Sequence, residues 1–296
     1  MDILILFYNT MWGFPLEFRK EDLPGGCVIT TDRNLIAKAD AVVFHLPDLP
    51  SVMEDEIDKR EGQLWVGWSL ECEENYSWTK NPEFRESFDL WMGYHQEDDI
   101  VYPYYGPDYG KMLVTARREK PYKKKACMFI SSDMNRSHRQ EYLKELMQYT
   151  DIDSYGKLYR NCELPVEDRG RDTLLSVIGD YQFVISFENA IGKDYVTEKF
   201  FNPLLAGTVP VYLGALNIRE FAPGENCFLD ICTFDSPEGV AAFMNQCYDD
   251  GALYERFYAW RKRPLLLSFT KKLEQVRSNP LIRLCQKIHE LKLGGI

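Results

Sequence analysis

The chain has 296 residues, which is long enough for two domains of ordinary size. Hydrophobic residues make up 45% of it and charged residues 27%, the composition of a globular protein with a buried core. The net charge of −11 disfavours a protein that binds nucleic acid or anionic membranes, because both kinds of binding depend on basic surface. No apolar run approaches the roughly 20 residues of a membrane span, and Asp2 stands where a signal peptide has basic residues.

The eight cysteines show no Cys-x-x-Cys spacing, which argues against a zinc site and against a dense disulfide framework. They are Cys27, Cys72, Cys127, Cys162, Cys227, Cys232, Cys247 and Cys285. Because the N-terminus carries no export signal, we expect free thiols in a reducing compartment. The sequence therefore predicts a cytoplasmic protein.

Apolar runs separated by polar, Pro- and Gly-rich connectors indicate a first α/β domain. Its predicted strands are Ile3–Phe7, Ala41–Phe44, Leu64–Trp68 and Leu90–Tyr94. The charged run Asp55–Glu61 predicts a short helix. The basic run Arg117–Lys125 is typical of a solvated linker, so the domains are assigned to residues 1–115 and 116–296.

The second domain repeats the alternation of strands and helices. Its predicted strands are Cys127–Ser131, Ile152–Tyr155, Phe183–Phe187, Val209–Leu213 and Cys227–Ile231. Its predicted helices are Gln140–Gln148, Thr173–Ile178, Pro237–Tyr248, Leu253–Arg261 and a tail over Thr270–Leu293 that Pro280 interrupts. This order is typical of α/β domains with parallel sheets.

The most informative stretch covers residues 183–214, where a buried strand ends in polar residues, a Gly-containing loop and a helix. These polar residues are Glu188, Asn189, Tyr195, Glu198 and Lys199. Open α/β sheets bind ligands beyond the carboxyl ends of their strands, and a helix N-terminus binds anions. Lys199 adds a full charge, and Glu198 can accept hydrogen bonds from the paired hydroxyls of a ribose. A Glu–Lys pair alone is typical of a solvated surface, but the whole stretch indicates a site for a nucleotide-sugar diphosphate.

The same stretch resembles the signature of the α1,3-fucosyltransferase family, glycosyltransferase family 10. The matching elements are Phe-Glu-Asn at 187–189, Tyr-x-Thr-Glu-Lys at 195–199 and Gly-x-x-Pro-Val-x-x-Gly at 207–214. The resemblance implies the α/β GT-B fold, in which two Rossmann-like domains face a cleft. It also implies that the N-terminal domain holds the acceptor and the C-terminal domain the nucleotide sugar.

The resemblance further implies roles for the residues of the signature. Lys199 would neutralise the departing diphosphate, and Glu198 would hold the ribose hydroxyls. Tyr195 would line the phosphate and sugar site, while Glu188 and Asn189 would shape the fucose pocket. Fixed cations can stabilise the negative charge that builds on the diphosphate, as a metal ion does in other glycosyltransferases.

A second candidate anion site follows the first strand of the second domain, where Ser132 lies in a polar loop and Arg139 lies near the N-terminus of the next predicted helix. The guanidinium fork of Arg139 suits a pyrophosphate, although one arginine in a turn is commonly a surface cation. Ser132 and Arg139 match the family's Phe-x-x-Ser, spacer and arginine. The resemblance therefore implies that Arg139 contacts the donor diphosphate, with Arg136 as the weaker alternative.

Sugar transfer also needs a general base, because the acceptor hydroxyl loses a proton as it attacks. Glu71 follows the apolar strand that ends at Trp68 and is the predicted base. The family commonly has Glu-Ser-Pro at this place, whereas this chain has Glu71-Cys72-Glu73. Glu73 and Glu74 therefore stay open as alternatives, and three acids in four residues are also typical of a solvated loop.

No metal site is expected. Asp151-Ile152-Asp153 matches the Asp-x-Asp motif of GT-A enzymes, but a match this short arises easily by chance. The four histidines show no ligand spacing. The prediction is that no cofactor is required and that a divalent cation at most stimulates.

The function that the resemblance implies is inverting α1,3-fucosyl transfer from GDP-β-L-fucose to the GlcNAc of a Galβ1,4GlcNAc glycan, giving a Lewis X-type product. The expected partners are this donor and this acceptor. The bacterial branch of the family is expected, with at most peripheral membrane contact. Two alternatives stay open: a GT-B transferase of other donor or linkage specificity, and a non-catalytic glycan-binding protein.

Overall fold

The computed structural model describes residues 2–53, 57–116 and 124–293. The chain divides into two compact units, of which the first combines Met1–Pro103 with Gln275–Ile296 and the second is Tyr104–Glu274. The predicted boundary at residue 116 thus lies twelve residues too late, and the end of the chain belongs to the other unit.

Strands and helices alternate along the chain. The strands are β1 Ile3–Phe7, β2 Cys27–Thr30, β3 Ala41–His45, β4 Leu64–Ser69, β5 Leu90–Gly93, β6 Ile100–Val101, β7 Lys124–Met128, β8 Asp153–Ser154, β9 Tyr181–Phe187, β10 Val209–Leu213 and β11 Leu229–Asp230. The helices are α1 Leu49–Val52, α2 Pro82–Glu86, α3 Tyr109–Thr115, α4 Arg139–Leu146, α5 Arg171–Ile178, α6 Glu198–Ala206, α7 Pro237–Asp249, α8 Gly251–Glu255, α9 Leu267–Gln275 and α10 Pro280–Leu293.

The first unit contains a parallel sheet in the order β2-β1-β3-β4-β5-β6. Its central strands are continuous apolar runs because both faces of the sheet are covered. One face packs against α10, whose Leu284 and Ile288 are fully buried. This contact explains why the predicted domain assignment of the tail was wrong: the apolar stripe of α10 was visible in the sequence, but not the sheet that it covers.

A disulfide joins Cys27 of β2 to Cys285 of α10. The expectation of free thiols throughout is therefore wrong for this pair, which is 258 residues apart in the sequence. The other six cysteines form no disulfide.

The second unit contains a parallel sheet in the order β11-β10-β9-β7-β8. The chain leaves β7 for β8 on one side and then returns to β9 on the other side. The strand order therefore reverses between β7 and β9, as it does between β1 and β3 in the first sheet. In open α/β sheets, such a reversal opens a crevice at the carboxyl ends of the strands, where ligands bind.

Several predicted elements have other bounds or lie outside the described residues. The predicted break at Pro280 is confirmed, because α9 ends before it and α10 begins at it. Of the predicted charged helix Asp55–Glu61, residues 57–61 are not helical and the remainder is outside the described part. Residues 117–123 of the basic run also lie outside it, and the last two lysines of the run belong to β7. No helix among the described residues has the length and apolar character needed to cross a membrane.

Candidate active site

Arg139 bridges the crevice between β7 and β9. It is the first residue of α4, one residue before the predicted start of this helix, and its side chain is 0% exposed. Nη1 donates to the carbonyl oxygen of Phe187 at 3.1 Å, and Nη2 donates to that of Ser132 at 2.8 Å. Burial lowers the pKa of Arg139, while the nearby Glu188 acts in the opposite direction. The guanidinium therefore ties the end of β9 to the loop that follows β7.

Glu188, directly after β9, is the centre of the site. Its carboxylate is fully buried and accepts hydrogen bonds from the backbone N–H of Thr197 at 2.8 Å and from the Thr197 hydroxyl at 2.8 Å. Nζ of Lys199 lies 3.4 Å from Oε2 of the same carboxylate. Burial raises the pKa of Glu188, and the Lys199 charge opposes this rise. Glu188 thus anchors the start of α6 to the end of β9.

Lys199 lies in the first turn of α6. Its Nζ donates to Thr197 Oγ1 at 3.1 Å and to Glu198 Oε1 at 3.0 Å. Burial alone would lower the pKa of Lys199, but Glu188 and Glu198 more than offset it, so the pKa is raised. The side chains of Lys199 and Glu198 remain 27% and 46% exposed. A fixed, protonated amine therefore faces outward at a helix N-terminus, which is suited to a phosphate.

An apolar cavity of about 80 Å³ lies against Glu198 and Lys199. Side chains from the loop after β7, from β9 and from helices α5 and α6 form its walls. They are Phe129, Ile130, Leu174, Ile178, Val184, Ile185, Asn202 and Pro203. The site therefore combines an apolar recess with one cation and one carboxylate at its edge.

The remaining predicted site residues, Asn189, Tyr195 and Ser132, each contact other parts of the second unit. Asn189 is buried, and its carbonyl oxygen accepts from the Ser137 N–H at 3.1 Å. Tyr195 is 1% exposed and packs edge-on against Tyr104. Ser132 is exposed, and its hydroxyl accepts from the N–H of Met134 two residues on. The structure thus gathers Arg139 and Lys199 around Glu188, whereas the ligand contacts of Ser132, Asn189 and Tyr195 stay predictions.

Three supporting residues were given no role in the sequence analysis, although two of them, Thr197 and Gly214, belong to the signature. Thr197 caps α6, and its position one residue before the helix was the available signal. Gly214 leaves room for the buried carboxylate, because an added Cβ would lie 2.7 Å from Glu188 Cγ. Asp194 has a left-handed backbone (φ +64°), and its side chain accepts from the Asn217 amide at 2.9 Å. Nothing in the sequence pattern marked the last pair.

The three acids after β4 differ in their surroundings. Glu73 accepts from the hydroxyl of Tyr94, and its Oε1 lies 3.4 Å from His95 Nε2. Burial would raise the pKa of Glu73, but these two partners hold it at about 2. Glu74 pairs with Lys80 at the surface. Glu71 is half-buried, and its backbone is fixed by reciprocal hydrogen bonds with the Ser69 hydroxyl.

Family models match both halves of the chain. The model for the C-terminal part of glycosyltransferase family 10 (fucosyltransferase) matches residues 119–293, and an N-terminal fucosyltransferase model matches residues 2–105. The chain belongs to glycosyltransferase family 10. The predicted family is confirmed.

Curated relatives of this family 10 chain include two mammalian examples of 4-galactosyl-N-acetylglucosaminide 3-alpha-L-fucosyltransferase 9. The proteins of Mus musculus and Homo sapiens are each 32% identical over 248 residues, which is 80% of this chain. The chain spans 64% of the length of these relatives. GDP-fucose protein O-fucosyltransferase 3 of Mus musculus is 38% identical over 141 residues, covering 45% of this chain and 29% of that protein.

Solved structures of α1,3-fucosyltransferase share the fold. One determined with GDP-fucose has a TM-score of 0.60 at 16% identity and covers 88% of this chain and 81% of its own. Another has a TM-score of 0.61 at 15% identity, with coverages of 89% and 82%. The fold of this family 10 chain is thus α/β of the GT-B class, as predicted, with a parallel sheet in each unit.

The Asp-x-Asp match comprises Asp151 and Asp153, on either side of Ile152. Asp153 accepts a hydrogen bond from the Tyr181 hydroxyl at 2.5 Å, and Asp151 is exposed. Among the residues that the structure describes, no three His, Cys, Asp or Glu side chains are grouped as metal ligands. The two aspartates therefore have separate surroundings.

Proposed function

We propose that this chain is an inverting α1,3-fucosyltransferase that moves L-fucose from GDP-β-L-fucose to the GlcNAc of a Galβ1,4GlcNAc glycan. The product is of the Lewis X type. Membership of the family and the names of the relatives support this choice of donor and acceptor. The observation that carries it is the fixed cation Lys199 at the start of α6, beside the carboxylate of Glu198.

The diphosphate of the donor binds at Lys199, in the first turn of α6. Glu198 accepts from the ribose hydroxyls, and the apolar recess beside it takes the flat base. Arg139 stabilises this site, because its two hydrogen bonds to carbonyl oxygens hold the end of β9 against the loop that follows β7. As the sugar–phosphate bond breaks, negative charge on GDP is stabilised by a cation already in position.

Glu71 removes the proton of the acceptor hydroxyl, which attacks the anomeric carbon from the face opposite GDP. One displacement of this kind inverts the anomeric centre. A carboxylate with a pKa of about 2, such as Glu73, is a weak proton acceptor, and Glu74 is paired with Lys80. Glu71 is therefore the base in this proposal.

The reaction requires no metal ion in this proposal, since Lys199 supplies the charge that a divalent cation supplies elsewhere. A stimulatory divalent cation, a cytoplasmic location, a bacterial type and at most peripheral membrane contact stay predictions. Assays with and without a chelator test the first of these.

The decisive experiment measures fucose transfer from GDP-fucose to N-acetyllactosamine, with product linkage determined by NMR. Glu71→Gln should lower turnover by at least about 100-fold while GDP binding, measured by calorimetry, is retained. Glu74→Gln is the matched control and should keep turnover. Full activity of Glu71→Gln would show that Glu71 is not the base. If another nucleotide sugar binds more tightly than GDP-fucose in competition experiments, that nucleotide sugar is the donor instead.

A second candidate acceptor is a protein hydroxyl. It is favoured by the similarity to GDP-fucose protein O-fucosyltransferase 3 over 141 residues. Folded protein acceptors presented in place of the saccharide distinguish the two. Transfer to serine or threonine without transfer to N-acetyllactosamine would favour this alternative.

A further inference from the structure

The segment that follows the proposed base departs from the family's motif. The family commonly has Glu-Ser-Pro here, whereas this chain has Glu71-Cys72-Glu73, so Glu73 occupies the position of the proline. A proline fixes its own φ at about −65° and also restricts the residue before it. Cys72 and Glu73 do not restrict the backbone in this way. Other contacts are therefore needed to fix the segment that carries Glu71.

The backbone of this segment forms a β-turn in which a proline would fit. The N–H of Asn75 donates to the carbonyl oxygen of Cys72 at 2.9 Å, so residues 72–75 form the turn and Glu73 is its second residue. Both Glu73 and Glu74 have negative φ, as in a type I turn. Proline is favoured at the second position of this turn type. The turn thus keeps a backbone that suits proline, although it holds a glutamate.

The side chain of Glu73 connects this turn to the end of the next strand. Its carboxylate accepts a hydrogen bond from the hydroxyl of Tyr94, and its Oε1 lies 3.4 Å from Nε2 of His95. Tyr94 and His95 directly follow β5, which pairs with the end of β4 through Ser69 and Gly93. The carboxylate therefore holds the turn after β4 against the residues after β5.

The thiol of Cys72 contacts the same tyrosine. Its side chain is 0% exposed, and burial raises the pKa of the thiol to about 11, so the thiol is protonated at neutral pH. A hydrogen bond links this thiol to the hydroxyl of Tyr94, which is itself only 3% exposed. Because the hydroxyl proton is donated to Glu73, the S–H of Cys72 donates to the hydroxyl oxygen. One hydroxyl thus contacts both residues that stand in place of Ser-Pro.

These contacts hold the backbone on both sides of Glu71. On the N-terminal side, the Ser69 hydroxyl accepts from the Glu71 N–H at 3.1 Å and donates to the Glu71 carbonyl oxygen at 3.0 Å. On the C-terminal side, Cys72 and Glu73 are bound to Tyr94. Glu71, Glu73 and Tyr94 line one cavity of about 30 Å³, so the bound turn lies beside the base. A general base acts only within hydrogen-bond reach of the proton that it removes, so its position affects turnover.

We propose that Tyr94 is a positioning residue for fucosyl transfer, and that its hydroxyl, bound to Cys72 and Glu73, replaces the proline of the family's motif. The inference rests on the proposed function for the role of Glu71. Tyr94 acts through the backbone of the turn and not on the reacting atoms. Without its hydroxyl, the residues after Glu71 have more backbone freedom, and the carboxylate of Glu71 spends less time in the productive position.

The first test measures kcat for fucose transfer from GDP-fucose to N-acetyllactosamine. Tyr94→Phe should lower kcat by about tenfold, because a buried hydrogen bond that orients the base is lost. KM for GDP-fucose should stay unchanged, because the donor site belongs to the second unit. Tyr142→Phe is the matched control, since it removes a buried hydroxyl that has no hydrogen-bond partner among the described residues. A kcat for Tyr94→Phe equal to that of this control would overturn the inference.

A second test restores the proline. Glu73→Pro in the Tyr94→Phe background should return kcat to within about threefold of the parent value, because the proline ring again restricts the backbone. Glu73→Ala in the same background is the control: alanine removes the same carboxylate but leaves φ free, so kcat should stay about tenfold low. Equal kcat values for the two double variants would refute the inference. If Tyr94→Phe does not fold, Glu73→Pro and Glu73→Ala alone give the same comparison, and kcat should again be higher with proline.

Hydrogen exchange, measured without substrates, separates this inference from the proposed function. The N–H groups of Asn75 and Tyr76 donate to carbonyl oxygens within the segment, so their exchange reports how firmly the turn is held. Tyr94→Phe should speed this exchange by about tenfold, and adding Glu73→Pro should restore the parent rate. Unchanged exchange in Tyr94→Phe would overturn the inference even if the parent protein transfers fucose. Faster exchange in Tyr94→Phe, together with no fucose transfer by the parent protein, would refute the proposed function and leave Tyr94 as the residue that holds the turn.

Discussion

The variant Glu73→Gln tests whether Glu73, one of the acids after β4, stabilises the fold, whereas Glu71 is the proposed catalytic base. In the folded protein Tyr94 and His95 hold the pKa of Glu73 at about 2, against an ordinary value of 4.5, although burial opposes them. A difference of this size corresponds to about 3 kcal/mol of stability at neutral pH. Gln keeps the shape of the side chain but cannot carry the charge that these partners favour. We therefore expect Glu73→Gln to lower the stability of the first unit by up to about 3 kcal/mol.

Calorimetric melting as a function of pH measures this loss. At pH 7 the midpoint of the variant should lie about 10 °C below that of the parent protein. Because the folded-state pKa is depressed, the contribution of Glu73 is present above pH 4.5 and is lost as the pH falls towards 2. The gap between parent and variant should therefore narrow as the pH falls below 4.5.

Glu74→Gln is the control, since Glu74 and Lys80 are 44% and 42% exposed and such surface pairs contribute about 0–1 kcal/mol. Equal midpoints for the two variants at pH 7, or a gap that widens in acid, would refute the reasoning. Below its melting temperature, Glu73→Gln should also keep fucosyl transfer. A loss as complete as that of Glu71→Gln would make Glu73 the base.

Two further predictions concern the second unit. Lys199→Met should weaken GDP binding by about 10- to 100-fold, because a charge-assisted hydrogen bond is lost. Titration calorimetry measures this change. A GDP affinity equal to that of the parent protein would show that Lys199 is not part of the donor site. Gly214→Ala should destabilise the unit by about 1–3 kcal/mol, because the new Cβ would lie 2.3 Å from the Tyr212 hydroxyl and 2.7 Å from Glu188 Cγ. Gly251→Ala, where no atom lies within 4 Å, is the control in thermal melts, and equal midpoints for the two glycine variants would contradict the packing argument.

The sequence predicted the central strands well because burial on both faces requires an unbroken apolar run. The bounds of β1 and β10 agree with the predicted ones at both ends. The edge strand β2 was missed, since an edge position leaves residues such as Val28 exposed and the apolar run is weaker. Strand order cannot be read from such runs, so the position of the crevice came only from the structure.

The candidate site was predicted in its residues but not in their arrangement. Arg139 was expected to face a phosphate, yet its two Nη atoms donate to carbonyl oxygens. A phosphate oxygen and a carbonyl oxygen both accept hydrogen bonds from a guanidinium, so the residue type alone could not show which of them Arg139 binds. Glu188 was expected to shape a sugar pocket. In the structure its carboxylate accepts a hydrogen bond from the backbone N–H of Thr197, nine residues later. That contact depends on the path of a loop whose backbone the sequence pattern does not specify.

The chain order of the first unit has a consequence for protein synthesis. The ribosome completes residues 104–274, the whole second unit, before it makes α10. Until then one face of the first sheet has no helix to cover it, because Leu284 and Ile288 have not been made. The second unit can thus fold during translation, as contiguous domains generally do, while the first waits for the end of the chain. A chain that stops at Glu274 would expose this face and should bind chaperones or aggregate.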